Sequence, residues 1–361
     1  MAVGGNARGR TGRAALTVTG RPVSGRWIPV AVGAGVWLAL MILETGEGGV
    51  TALWTNAYLL ALVVFAGTLT RAVSLFVVAW AVLAGGFLMT AMLVLARAFL
   101  VFEPDPGAML RALVIPALED LLKIAPVLLL LWLGRRRESW SLGATDVLLI
   151  ATASGVGFGV VEDAFIRAHS GWPEDVPFLP VVEIIGGRTI AGHGIWAGLA
   201  GATLGLSLLL VGWRPLALIL AVAGFGWSLL DHITNNMAAE GILNEIGGLT
   251  VPLFLIAAAC CMALDLYVRA RTLPPISELQ APPLGGDQDA LARAWRFRLL
   301  KRALAFAVFR YRTTTGTARV EAEVEAQRLM DELGYPPEPV VSAEGGAPLP
   351  PGPAIAGQGA S

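Results

Sequence analysis

Apolar positions in this chain come in long blocks rather than in the one-sided pattern of a soluble helix or the alternation of a half-buried strand. From Trp27 to about Tyr267, apolar runs are separated by short polar connections. Eight of them approach the ~20 residues that cross ~30 Å of hydrocarbon. They are Trp27–Leu43, Val50–Leu69, Val73–Leu95, Leu110–Leu133, Asp146–Ala168, Val182–Val211, Leu216–Met237 and Gly247–Tyr267. Barrel strands are about half as long and alternate in polarity, so these runs predict helices. The expected fold class is all-α: a polytopic membrane helix bundle of about eight transmembrane helices with a small helical cytoplasmic tail. The expected organisation is a disordered basic N-terminus (1–26), a transmembrane domain (27–270), a Pro-rich linker (271–286), a helical tail (287–334) and a disordered C-terminus (335–361).

Composition agrees with this pattern. Only 15% of residues are charged, against about a quarter in soluble domains. The distribution of charge adds orientation. Arg8, Arg10, Arg13, Arg21 and Arg26 precede the first run; Arg71, Arg135–Arg137, Arg214, Arg269 and Arg271 occupy every second connection after it. The intervening connections are acidic, with Glu44, Glu47, Glu103, Asp105, Glu174, Asp175, Glu240 and Glu245. The positive-inside rule then predicts a multi-pass protein of the cell membrane with both termini cytoplasmic. Cys260 and Cys261 are neighbours on one run, where they point apart, so no disulfide is expected. The basic stretch Asp287–Arg312 carries Trp295, Phe297, Leu299, Leu300, Phe306 and Phe309 among its cations. It either lies on the anionic inner leaflet or packs on its neighbour, Ala318–Leu333.

Four runs hold groups that hydrocarbon rejects, and intramembrane ionisable residues are usually functional. The fourth carries Glu119, Asp120 and Lys123, with Glu119 and Lys123 one turn apart on one face. The fifth ends in Glu162 and Asp163, after Gly155, Gly157 and Gly159, which permit close helix approach. The sixth has Arg188 and His193, and the seventh His232 with Asn235 and Asn236 at i+3 and i+4, where either amide could fix the imidazole tautomer. With ~1.5 Å rise per residue, Glu119, Glu162, His193 and His232 all fall roughly 9–15 Å below the outer surface. They are expected to meet in one cavity open to the outside. A buried carboxylate beside imidazoles can activate water, stabilise an oxyanion or bind a metal, and peptide hydrolysis needs those parts. There is no Gly-x-Ser-x-Gly, no His-Glu-x-x-His and no phosphate-binding or dinucleotide motif in a supporting context.

The order Glu-Asp-x-x-Lys, Phe-x-x-x-Glu-Asp, Arg-x-x-x-x-His and His-x-x-x-Asn, each on its own run, resembles the PrsW family of intramembrane proteases, itself distantly similar to CAAX-processing and bacteriocin-processing membrane proteases. Asp120 stands where that family has Glu, and Asp163 where it has Asn. The resemblance implies a peptidase in which Glu119, Asp120 and His193 are essential, Glu162 and His232 catalytic in support, and Lys123, Asp163, Arg188, Asn235 and Asn236 auxiliary. It also implies a membrane-anchored protein substrate cut near the extracytoplasmic face, an anti-sigma factor in bacterial stress signalling.

A divalent metal such as zinc, held by Glu162, His193 and His232, is one option for the chemistry; Glu119 with His193 acting on water without metal is the other. No organic cofactor and no nucleic-acid partner is expected; the lipid bilayer is. The alternative function is a proton-coupled transporter with the buried Glu, Lys and His groups as a relay. A relay should run across the membrane, whereas these groups gather on one side, and no internal repeat of the transporter kind is visible.

Overall fold

The computed structural model describes residues 32–37, 39, 43, 47–102, 107, 110–134, 141–170, 182–185, 188–210, 214–239, 241–242, 248–272 and 290–333. The predicted N- and C-terminal segments, the linker after Thr272, Arg135–Arg137 and most of the acidic connections lie outside these residues. In order, the elements are α1 (residues 32–37), α2 (Glu47–Ala66), α3 (Leu75–Phe102), α4 (Ile115–Gly134, entered through a π-helical turn Leu110–Val114) and α5 (Ala144–Ser170). A hairpin of β1 (Val182–Ile185) and β2 (Arg188–Ala191) follows. Then come α6 (His193–Leu209), α7 (Arg214–Ala239), α8 (Thr250–Thr272), α9 (Ala290–Thr313) and α10 (Thr317–Glu332).

The chain is a multi-pass membrane helix bundle. Five described helices are long and apolar enough to cross a bilayer, over Ala52–Leu69, Leu75–Leu95, Ala144–Phe165, Pro215–Ala238 and Thr250–Thr272. α4 has spanning length but carries Glu119, Asp120 and Lys123, and α6 is 17 residues long. The run predicted as one span over 182–211 divides. Its first part pairs as the antiparallel hairpin, Val182 opposite Ala191 and Ile185 opposite Arg188, and only the rest is helical. Val182, Ile184, Ile185, Thr189 and Ile190 are β-branched and flank Gly186–Gly187, a strand–turn–strand composition that hydropathy alone does not separate from a helix. His193 is therefore the first residue of a helix rather than a mid-span residue.

α5 is the centre, fully enclosed over Ala144–Phe165 with α2, α3 and α6 packed against it. Lipid tails give helices no hydrophobic reason to associate, so close backbone approach has to supply the contact. A Cβ on Gly157 would lie 1.8 Å from the Val82 carbonyl oxygen, and one on Gly85 1.9 Å from that of Ser154. α3 and α5 thus touch backbone to backbone at two reciprocal glycines.

The beginning of α5 is fixed by two buried carboxylates. Asp146 accepts from the amides of Gly143 (2.8 Å), Ala72 (2.7 Å) and Val73 (2.9 Å). Asp265 reaches across from α8 to accept from Ala144 (2.9 Å) and Thr145 (2.8 Å), first-turn amides with no intrahelical acceptor. Asp265→Ala strands both. At ~1–3 kcal/mol per unmet buried donor, it is expected to destabilise the bundle by about 2–6 kcal/mol, while Asp265→Asn, which keeps one acceptor oxygen, loses less. Thermal unfolding in detergent checks this; equal melting of all three proteins would mean that the amides find other acceptors.

The basic stretch packs on its neighbour and on the bundle. α9 and α10 turn at Gly316 (φ 64°) and bury Leu304, Phe306, Ala326 and Leu329. Arg302 donates to the carbonyls of Thr68 (2.8 Å) and Arg71 (2.9 Å), and Arg310 to that of Leu142 (2.7 Å). Burial holds both guanidinium groups down to about 10, for Arg302 with help from Arg269 and Arg71, so both stay charged at neutral pH.

Candidate active site

Four helices bring their polar groups to one place. α4 supplies Glu119, Asp120 and Lys123, which are 3%, 4% and 1% exposed. α5 supplies Glu162, α6 supplies His193 and α7 supplies His232. His193 is seated by a glycine: a Cβ on Gly155 would come 2.4 Å from its carbonyl oxygen, so the start of α6 lies directly on α5. The two imidazoles stand edge to face with centroids 5.3 Å apart.

Lys123 selects among the carboxylates. Its Nζ lies 2.9 Å from Asp120 Oδ1 and 3.8 Å from Glu119 Oε2, so its closer partner is the residue three positions back rather than four. The ammonium also lies over the rings of Phe158 (4.9 Å) and Trp196 (5.4 Å), where the π faces favour a cation. Both nitrogens of His232 face α4: Nδ1 is 3.0 Å from Asp120 Oδ1 and Nε2 is 3.4 Å from Glu119 Oε2. Carboxylates on another helix, not Asn235 or Asn236 on its own, thus orient this ring. The amide Nδ2 of Asn235 is buried without a partner. Lys123 Nζ is farther from Nδ1 (3.4 Å) than Asp120 is, which favours the tautomer that donates Nδ1–H to Asp120. Nε2 then presents a lone pair to Glu119.

That leaves carboxylate oxygens facing ring nitrogens with no aligned hydrogen bond between them. Glu119 Oε2 and Glu162 Oε2 both lack a hydrogen-bond partner, as does His193 Nδ1. Glu162 Oε2 is nevertheless 2.9 Å from His193 Nε2, a contact that meets the distance for a bond but not its alignment. Glu119, His193 and His232 can each direct one ligand atom so that the three lie within 4.8 Å of one another. Two imidazoles and a carboxylate are a donor set suited to zinc. The described structure thus gathers Glu119, rather than Glu162, with the two histidines, and Glu162 stands beside them on His193.

Further residues enter that the sequence pattern did not single out. Asn56, in the middle of α2, donates to Asp163 Oδ2 (2.7 Å) and to the Ala52 carbonyl (3.0 Å), so Asp163 is tied to α2. Trp196 stacks on His232 (centroids 4.1 Å, planes 24° apart) and donates Nε1–H to Asp231 (2.8 Å). An Asn inside an apolar run and a Trp three residues after the sixth-span His were the available signals. Arg188 lies on β2, its backbone opposite Ile185.

Comparison with known proteins then gives one result. The sequence model of the PrsW family intramembrane metalloproteases matches residues 71–264, more than half of the chain. The match contains every candidate residue from Glu119 to Asn236 and stops before α9. No curated protein and no solved structure matches.

Proposed function

Because the chain belongs to the PrsW family of intramembrane metalloproteases, we propose that Glu119, His193 and His232 hold a divalent metal such as zinc, and that Glu162 is the general base of peptide hydrolysis. The observation that carries this is the buried pair of carboxylate oxygens, on Glu119 and Glu162, that face imidazoles without a hydrogen bond. Such an arrangement needs a cation or a proton between its members. A metal held by Glu119, His193 and His232 would supply Lewis acidity toward a peptide carbonyl and a lowered pKa for water.

The chain's own groups divide the remaining work. Glu162 takes the proton from the attacking water and returns it to the leaving amine. Asp120 accepts from His232 Nδ1–H, which fixes the tautomer and leaves Nε2 as a donor of electrons, the usual arrangement behind a metal-bound histidine. Lys123 neutralises Asp120. Trp196, held by Asp231, keeps the His232 ring in plane by stacking. Asn56 anchors Asp163 and so the end of α5 next to Glu162.

The substrate is a membrane-anchored protein cleaved near the extracytoplasmic face, with both termini of this chain cytoplasmic in the cell membrane. Alternating loop charge supports that orientation, and the family resemblance supports an anti-sigma factor as substrate. The gathering of polar groups at one end of α5 favours hydrolysis over a transmembrane proton relay.

The full-length protein purified in detergent is expected to carry about one divalent ion per chain. Chelation should abolish cleavage of a single-pass substrate in proteoliposomes, and zinc should restore it. Undiminished cleavage by protein stripped of metal would overturn the proposal.

A further inference from the structure

The opposite end of the bundle holds a polar cavity outside the family match and away from the candidate active site. Asp265 and Asp146 mark that end, roughly 25 Å along α5 from Glu162 at ~1.5 Å per residue. There Arg269, in the last turn of α8, faces Arg298, Lys301 and Arg302 of α9 around a cavity of about 260 Å³. Among the described residues, the four that line it are all cationic. Lys301 is one of only two lysines in the chain, the other being Lys123 in the candidate active site.

Two of the four cations are held in place by backbone. Arg302 donates to the carbonyls of Thr68 and Arg71, and Arg269 donates to that of Leu69. Carbonyls satisfy donors but do not neutralise charge; Asp265 offsets part of it at Arg269 and Asp146 at Arg302. Partial burial and Arg269 push Lys301 below its usual range, and burial with Arg269 and Arg71 does the same to Arg302. Fixed, convergent guanidinium and ammonium groups are the geometry of phosphate recognition, Arg as a fork and Lys as a point charge. The position also fits: α8 is apolar enough to span the bilayer and ends at Thr272, three residues past Arg269, so a spanning α8 would bring Arg269 to the level of the lipid headgroups.

We propose that this cavity binds a phosphate group, with Arg298 making the direct contact and Arg269, Lys301 and Arg302 supplying the surrounding charge. The volume is below the ~300–1,000 Å³ of sites for drug-sized ligands. Recognition is thus of the phosphate and its nearest atoms, borne either by an anionic lipid or by a small soluble molecule. A ligand seated there bridges α8 and α9 and ties the tail hairpin to the bundle.

The test titrates full-length protein in neutral detergent with dihexanoyl phosphatidylglycerol and, separately, with inorganic phosphate. Arg298→Gln, at an exposed position, leaves the other three cations in place and should melt like the parent while binding about 5-fold more weakly. Arg298→Glu reverses the charge, should weaken binding further than Arg298→Gln, and serves if Arg298→Gln folds poorly. Saturable binding of the lipid alone assigns a headgroup site; binding of inorganic phosphate that competes with the lipid assigns a site for free phosphate as well. Absence of binding by both probes, or unchanged affinity in both variants, overturns the proposal.

Discussion

Glu119→Gln is expected to lose both cleavage and bound metal, while Glu162→Gln loses cleavage and keeps the metal. Both changes preserve side-chain size and remove one anionic oxygen. At position 119 that oxygen is Oε2 or its twin, on the residue grouped with both imidazoles, so the donor set shrinks from three to two charged or basic ligands. At position 162 the carboxylate lies outside that group, 2.9 Å from His193 Nε2, and its loss removes the proton acceptor. Loss of a positioned base slows a reaction typically 10²–10⁴-fold, and loss of a metal ligand should cost at least as much here. The measurement is metal content beside cleavage rate on matched amounts of folded protein in membranes. Retained metal in Glu119→Gln together with lost metal in Glu162→Gln would exchange the two roles. Full cleavage by both would remove these carboxylates from the chemistry.

Lys123→Met should unfold the bundle more readily than any other single change at the site. Lys123 is 1% exposed and stands among Asp120, Glu119 and the Nδ1 of His232. Its own burial is costly, so the ion pair is weak support for stability in the intact protein. Removing one partner is different, because two carboxylates then remain buried without their cation; broken buried pairs cost about 3–5 kcal/mol. Pairing the change with Asp120→Asn removes one of the stranded charges and should recover a large part of the loss. Melting temperatures of the parent, Lys123→Met and the double variant check this. A Lys123→Met protein that melts with the parent would show that the ammonium contributes nothing to the folded state.

The helices of the bundle could be read from the apolar runs, because a bilayer imposes a length that few other environments do. The candidate site could be read because Glu119, Glu162, His193 and His232 have no place in hydrocarbon unless they meet. Pair identities were less legible. Spacing put Glu119 with Lys123, but a side chain four residues away and one three residues away share the same face, and only the rotamers decided for Asp120. The orientation of His232 was assigned by spacing to its own helix and turned out to depend on another one, which no local pattern encodes. Asp265 was invisible as a cap for the same reason: its two amide partners are about 120 positions earlier in the chain. The hairpin before His193 was missed because a hydropathy window averages over a Gly-Gly pair that the turn chemistry would have flagged.

The helices that carry the candidate site do not share the same surroundings. α5 is buried continuously from Ala144 to Val161, but α4 is not: Leu118 and Leu121, which flank Glu119 and Asp120 in sequence, are 51% and 53% exposed, and Leu230 beside the Asp231–His232 pair on α7 is 54% exposed. In a bilayer those leucines meet acyl chains. Only the thickness of a single helix, ~10–12 Å, then separates the lipid from the carboxylates. A partner confined to the bilayer and diffusing in two dimensions therefore meets the site from the flank, across α4 and α7, without crossing the bundle's densest layer. It is along that seam, and not along α5, that the fold has to yield for a transmembrane segment to come alongside.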